Sequence, residues 1–277
     1  MMAIIVRHLG AGVIFLSHMT EMPELFDLYD PTGRPLGRTK PRDEVHRDGD
    51  WHRSAHVWIF TSDHRLLFQR RASDKDTWPG RLDASVGGHY HAGESVEEGV
   101  RREAREELGL TLTPDELIPL GVRRMESRGS GIDDRELQDI YLLRRDLPLT
   151  AYRPDPVELD ALVLLDAADA AWLHAEEIEP ESELDDIPSA EAVSLVVGPN
   201  VAIRPITVTP RDLIPGRGSY ITAIARAVGD VLAGRPPRQL SGEWRDVGAG
   251  LVPTQGAHDG PTTSGSRRKQ LELKESI

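Results

Sequence analysis

One short segment, Gly88 to Leu110 (GHYHAGESVEEGVRREAREELGL), constrains this chain more than any other. Its spacing is G-x5-E-x7-R-E-x-x-E-E-x-G. Ser95-Val96-Glu97-Glu98 has the form of a capping box, which predicts a helix starting just after Ser95. Gly109 can take the left-handed conformation that ends a helix. Between them Val96, Val100, Ala104 and Leu108 form one apolar stripe at 3.6 residues per turn. Glu103 and Glu107 share a face; Glu107 falls within the direction of the stripe and Glu106 flanks Glu103. Glu98, Arg101 and Arg105 point the opposite way.

A solvated helix laced with Glu–Arg pairs accounts for Glu97, Glu98, Arg101 and Arg105. It does not account for Glu103, Glu106 and Glu107, three like charges at the edge of a buried face. Such a cluster is costly unless something positive sits among the groups. Mg²⁺, a hard cation that takes oxygen ligands, suits them best.

The segment resembles the Nudix box, G-x5-E-x7-R-E-U-x-E-E-x-G-U with U a bulky aliphatic residue. Gly88, Glu94, Arg102, Glu103, Glu106, Glu107, Gly109 and Leu110 match, and Ala104 is the one departure, smaller than usual but still in the apolar stripe. The resemblance implies an α/β fold, an α/β/α sandwich with a central mixed sheet carrying the catalytic loop and helix. It implies a hydrolase of diphosphate linkages that uses Mg²⁺, with Mn²⁺ as a substitute. By that resemblance Glu103, Glu106 and Glu107 hold the metal, with the Gly87 carbonyl as a further ligand, and Gly88, Glu94 and Arg102 brace the loop. Glu103 is the first choice for general base, with Glu136 and Glu158 as alternatives. Arg70 and Lys75, with His52 and His89, are the expected substrate contacts. Trp58, Trp78, Tyr90 and Tyr141 are the aromatics available to stack on a base, although such positions are more often core.

Composition narrows the partners. With 277 residues and a net charge of −13, and no basic tract to follow a nucleic-acid backbone, the chain is not built for nucleic acid. A small-molecule diphosphate is the expected partner, with no membrane, and a homodimer is left open. The chain has no cysteine, which removes disulfides, thiolate metal sites and a cysteine nucleophile and points to a reducing, cytoplasmic setting. Residues 1–22 read as an arm or an over-extended start, with Met19 or Met22 as the true beginning; residues 23–180 as the catalytic domain; 181–245 as an extension; and 246–277 as a disordered tail. Strands are predicted after Glu24, around the turn Asp30–Gly33, and over Ala55–Phe60, Leu66–Arg70, Leu137–Arg144 and Leu159–Leu165. Helices are predicted over Trp172–Glu177 and Ser219–Ala233, while Ser189–Val208 is ambiguous.

A second similarity supplies the rival. WHRSAHVWIF and LLFQRRASDKDTWPGRLDASVGGHYHAGES are similar to the isopentenyl-diphosphate isomerase branch of the same fold. His52 and His89 match its histidine ligands, His46 matches only with a shifted gap, and Asp134 and Glu136 match its E-x-E pair in part. Where that branch has its catalytic cysteine, this chain has Gly87. Allylic isomerisation needs a proton donor and acceptor on opposite faces of the carbon skeleton, and half of that pair is missing. The expectation is therefore hydrolysis, with His46 read as an ordinary hydrogen-bonded histidine. A catalytically silent binding domain would predict decay of the box carboxylates, and they are intact.

Overall fold

The computed structural model describes residues 23–75, 77–129, 132–176, 187–198 and 201–240. The arm at 1–22, the tail at 246–277 and the whole 177–186 connection lie outside them. The frame is a mixed 11-stranded sheet. Its centre is β3 (Trp51–Phe60), flanked on one side by β4 (Arg65–Arg71) and β9 (Leu159–Asp166). On the other side β1 (Leu25–Tyr29) and β2 (Pro35–Pro41) continue the sheet. The short strands β5 (Leu82–Asp83) and β6 (Val86–His89) pair with β4 and β3, and β7 (Leu117–Gly129) pairs with β8 (Ile132–Arg144). β8 runs parallel to β3, with His52 opposite Glu136 and Ser54 opposite Gln138.

The period-two alternation of β3 sorts its residues between two cores. Ala55, Val57 and Ile59 pack with Val100, Ala104 and Leu108 of α2 (Val96–Leu108). Trp58 and Phe60 pack on the opposite face, against α3 (Ala167–Ala175) and α4 (Gly218–Leu232). This is the α/β/α layering expected from the sequence. On α4, Ile221, Ile224 and Val228 are fully buried, each contributing about 1.5–3 kcal/mol.

α2 begins and ends where its sequence requires. The Ser95 hydroxyl accepts the Glu98 N–H at 3.3 Å, the Glu98 carboxylate accepts the Ser95 N–H at 2.9 Å, and Gly109 closes the helix at φ 67°. Other elements depart from expectation. α3 starts at Ala167, five residues before the predicted Trp172, because the Asp166 carboxylate caps Ala168 and Asp169. The ambiguous Ser189–Val208 stretch becomes the hairpin β10 (Ala190–Val196) and β11 (Ala202–Val208), which extends the sheet from β9. β7 was not among the predicted strands; its pairing slips between Pro119 and Gly121, which hides its period. α1 (Arg42–Asp48) was not foreseen, since Val45 alone is buried and no apolar stripe marks it. Two strands and a helix from the expected 181–245 extension thus share the sheet and core of the residues before them.

Candidate active site

Two groups of side chains meet along β6. The first hangs from α2. A Cβ on Gly88 would lie 2.1 Å from the Glu103 carboxyl carbon, so a glycine is what lets Glu103 rest against the strand. Glu107 is only 7% exposed and accepts the Gly87 N–H at 3.1 Å. Burial raises Glu103 above the usual carboxylate range against the pull of Arg102, and burial followed by repulsion from Glu103 raises Glu107 well above it.

Arg102 organises the rest. Its guanidinium donates to Glu94 at 2.9 and 2.8 Å and to the His89 carbonyl at 2.8 Å. It also donates to Glu103 at 2.8 Å and to the more exposed Glu106 at 3.2 Å. The pairing of Arg102 with Glu94 ties helix, loop and strand together, and the same cation neutralises Glu103 and Glu106. Among the described residues the three box carboxylates do not converge as a ligand group, because Arg102 draws two of them and Gly87 the third.

The second group is a pocket of five residues from three strands and a helix: His46 of α1, His52 of β3, His89 of β6, and Asp134 and Glu136 of β8. Ligand atoms of the three histidines lie within 4.8 Å of one another, as do those of His52, Asp134 and Glu136. His52 Nε2 is 3.6 Å and His46 Nε2 3.9 Å from Asp134 Oδ1, and His89 Nε2 is 3.9 Å from Glu136 Oε1. The Nε2 atoms of His46, His52 and His89, with Asp134 Oδ1, are buried without a hydrogen-bond partner. His46 is therefore not the ordinary hydrogen-bonded histidine the sequence suggested.

The tautomer of His52 follows from its surroundings. Its Nδ1 lies 3.0 Å from the Asp50 carbonyl, which can only accept, so the proton sits on Nδ1 and the Nε2 lone pair faces the pocket. Burial keeps the imidazoles neutral: His46 is pushed down to about 4, and His52 and His89 are also lowered. Asp134 moves the other way, raised by burial and by the neighbouring Glu136 charge. Phe26 stacks on His52 and His89, with ring centroids 5.3 and 4.8 Å apart, walling one side with apolar surface. Neutral imidazoles with bare nitrogens beside carboxylates form a donor set that fits a divalent transition metal.

The expected phosphate contacts are engaged within the chain. Arg70 donates to the Gly80 carbonyl at 2.9 Å and to Asp212 at 3.1 Å, and Lys75 pairs with Glu158. Of the aromatics, Trp58 and Tyr90 are core residues. Sequence reasoning missed the polar side chains beneath the pocket, namely Ser54, His56, Gln138 and Arg123, with Tyr220 from α4. Their signal is the period-two run His52, Ser54, His56 on β3, matched by Glu136, Gln138 on the strand beside it.

A NUDIX-domain profile matches residues 50–192. The chain belongs to the Nudix hydrolase family. Among its relatives, Nudix hydrolase 3 of Arabidopsis thaliana is 40% identical over 144 residues, which are 50% of this chain and 19% of that protein. A Nudix hydrolase of Clostridium acetobutylicum is 37% identical over 151 residues, covering 53% of this chain and 72% of the relative. An isopentenyl-diphosphate Delta-isomerase of Rhizobium rhizogenes is 36% identical over 122 residues, 44% of this chain and 58% of that enzyme. The Nudix chain thus spans about a fifth of the plant relative and less than two thirds of the isomerase. Among the described residues no helix is long and apolar enough to cross a membrane.

Proposed function

We propose that this Nudix protein hydrolyses a diphosphate linkage in a nucleoside-diphosphate-type or related organic diphosphate, by attack of water at phosphorus. The observation that carries the reading is the α2 edge, where Glu103 and Glu107 are held against the Gly87–Gly88 backbone by a braced, intact box. Glu103, Glu106 and Glu107, on exchanging Arg102 and the Gly87 N–H for the ion, would hold Mg²⁺, and the imidazole pocket would hold a softer divalent ion; such cations would supply charge neutralisation at the diphosphate and a lowered pKa of water.

The protein's own part is positional and acid–base. Arg102 fixes the loop through Glu94 and the His89 carbonyl, so that the acids and His89 keep one register. Burial makes the Glu103 carboxylate a better proton acceptor than an exposed one, which suits it to receive the proton of the attacking water. Glu136 sits with the imidazoles and is assigned there as a ligand, leaving the base role to Glu103. His52 and His89, expected as substrate contacts, are assigned to the same pocket. For Arg70 and Lys75, binding a diphosphate means exchanging Asp212 and Glu158 for phosphate oxygens.

The isomerase reading has one specific observation in its favour, the convergence of His46, His52 and His89 with Asp134 and Glu136. Against it stands Gly87 in a chain without cysteine, which leaves the second proton-transfer group unfilled. A panel of nucleoside diphosphates and triphosphates, nucleotide sugars, coenzyme-type diphosphates and prenyl diphosphates, assayed with Mg²⁺ for phosphate products, tests both readings. Phosphate release from at least one compound is expected, with isopentenyl diphosphate left unisomerised. Isomerisation, or complete silence from folded protein, would overturn the proposal.

A further inference from the structure

Beneath the histidine pocket lies a buried polar chain whose donor and acceptor directions can be deduced link by link. Arg123, fully buried on β7, stands opposite Gln138 of β8 and donates to Gln138 Oε1 at 2.6 Å. A guanidinium has only donors, so the oxygen of the amide must face it and the NH₂ must face the other way. That NH₂ lies 3.1 Å from Glu136 Oε2 and 3.3 Å from His56 Nε2. His56 Nε2 therefore accepts, and its proton is on Nδ1, 3.2 Å from the Tyr220 hydroxyl oxygen. The Trp58 indole N–H donates to the same oxygen at 2.8 Å, and the Arg123 guanidinium lies over the Tyr220 ring at 4.3 Å.

The consequence falls on Glu136. Ser54 and Gln138 both donate to Oε2, and Oε1 is the oxygen turned toward His89 Nε2. We propose that Gln138 is a positioning residue for the cation pocket: its amide, oriented by Arg123 and steadied through His56 by Tyr220 of α4, clamps one oxygen of Glu136 so that the other is presented with the imidazoles. This rests on the reading of that pocket as a cation site. The inference also draws α4 into the site, although the family match ends at residue 192. An outer hydrogen bond of this kind tunes ligand geometry without touching substrate.

The test uses Co²⁺, whose visible absorption reports imidazole ligation, titrated into the full chain in excess Mg²⁺ to fill oxygen-only sites. His52→Ala defines the background. Wild type is expected to give a His52-dependent band; absence of that band would overturn the pocket reading and the proposal with it. Gln138→Met, close in volume but without the amide, is expected to weaken Co²⁺ binding by about 10–100-fold and to alter the band while circular dichroism stays native. Gln138→Asn keeps the amide but withdraws it from Glu136, so the same direction of change is expected and the test survives if the Met variant misfolds. Wild-type affinity and spectrum in whichever variant is folded would overturn the role of Gln138 and leave the pocket reading standing.

Discussion

The acids on α2 and the histidine pocket flank the same strand but satisfy their charges in opposite ways. On α2 each carboxylate has a partner within the chain: Glu103 and Glu106 share Arg102, and Glu107 takes the Gly87 N–H. In the pocket three imidazole nitrogens and one carboxylate oxygen are buried with no hydrogen-bond partner. A buried polar atom without a partner costs about 1–3 kcal/mol, a cost that a ligand bound in the pocket would relieve. The difference teaches that a conspicuous sequence motif and the most ligand-ready geometry need not coincide. The box acids are held by their own brace, whereas the pocket is preorganised by burial.

The strongest way to break this comparison is to remove the acids. Glu106→Gln and Glu107→Gln are each expected to lower kcat on the diphosphate substrate by about a thousandfold, several kcal/mol of charge stabilisation, with an unchanged circular dichroism spectrum. Full activity in either would mean that the acid helix is not the reacting centre. His52→Ala addresses the other side. It removes a ligand rather than an outer contact, so Co²⁺ affinity is expected to fall by at least a hundredfold, the upper end of the outer-contact range; calorimetry showing wild-type affinity would reduce the pocket to a structural cluster.

Gly88→Ala sharpens the contrast because it touches only packing. Its Cβ would occupy the place of the Glu103 carboxyl group, and a displacement of that size is expected to reduce turnover by about a hundredfold with Co²⁺ binding largely retained. Equal losses in both measurements would show that the two groups act as one unit.

The smallest effect is on stability. Burial holds His56 down to about 4 from 6.5. The unfolded chain therefore binds a proton between those values that the folded chain does not. Stability is complete above about 6.5 and is lost as pH falls toward about 4, by about 1 kcal/mol per pH unit for one such group. Urea unfolding with chelator present should follow that trend, and His56→Asn should reduce its slope by one group's share, the other buried imidazoles keeping the rest; an unchanged slope would show that His56 does not contribute.

The acid helix was legible because its information is local. A cap at Ser95, a stop at Gly109 and a 3.6-residue period place Glu103, Glu106 and Glu107 without reference to the rest of the chain. The same wheel put Glu107 in the buried direction, and it is buried. The pairing of Arg102 with Glu94 was also expected and is present. The pocket was legible only through the isomerase resemblance, which brought His52 and His89 in full and His46, Asp134 and Glu136 in part. His46 rides on α1, which has too little apolar pattern to announce itself, and Gln138 carries no motif at all.

By itself, then, the sequence determined the layered fold, the family, and the helix with its acids, because periodicity and capping act over a few residues. Tertiary structure decided which histidines converge, that Arg102 serves two box acids, and that Tyr220 of α4 supports residues of β3. Those relations depend on strand register, above all the parallel pairing of β3 with β8 that sets His52 beside Glu136 and Ser54 beside Gln138. A register between strands about eighty residues apart is fixed by the packing of the whole sheet, which no local pattern encodes.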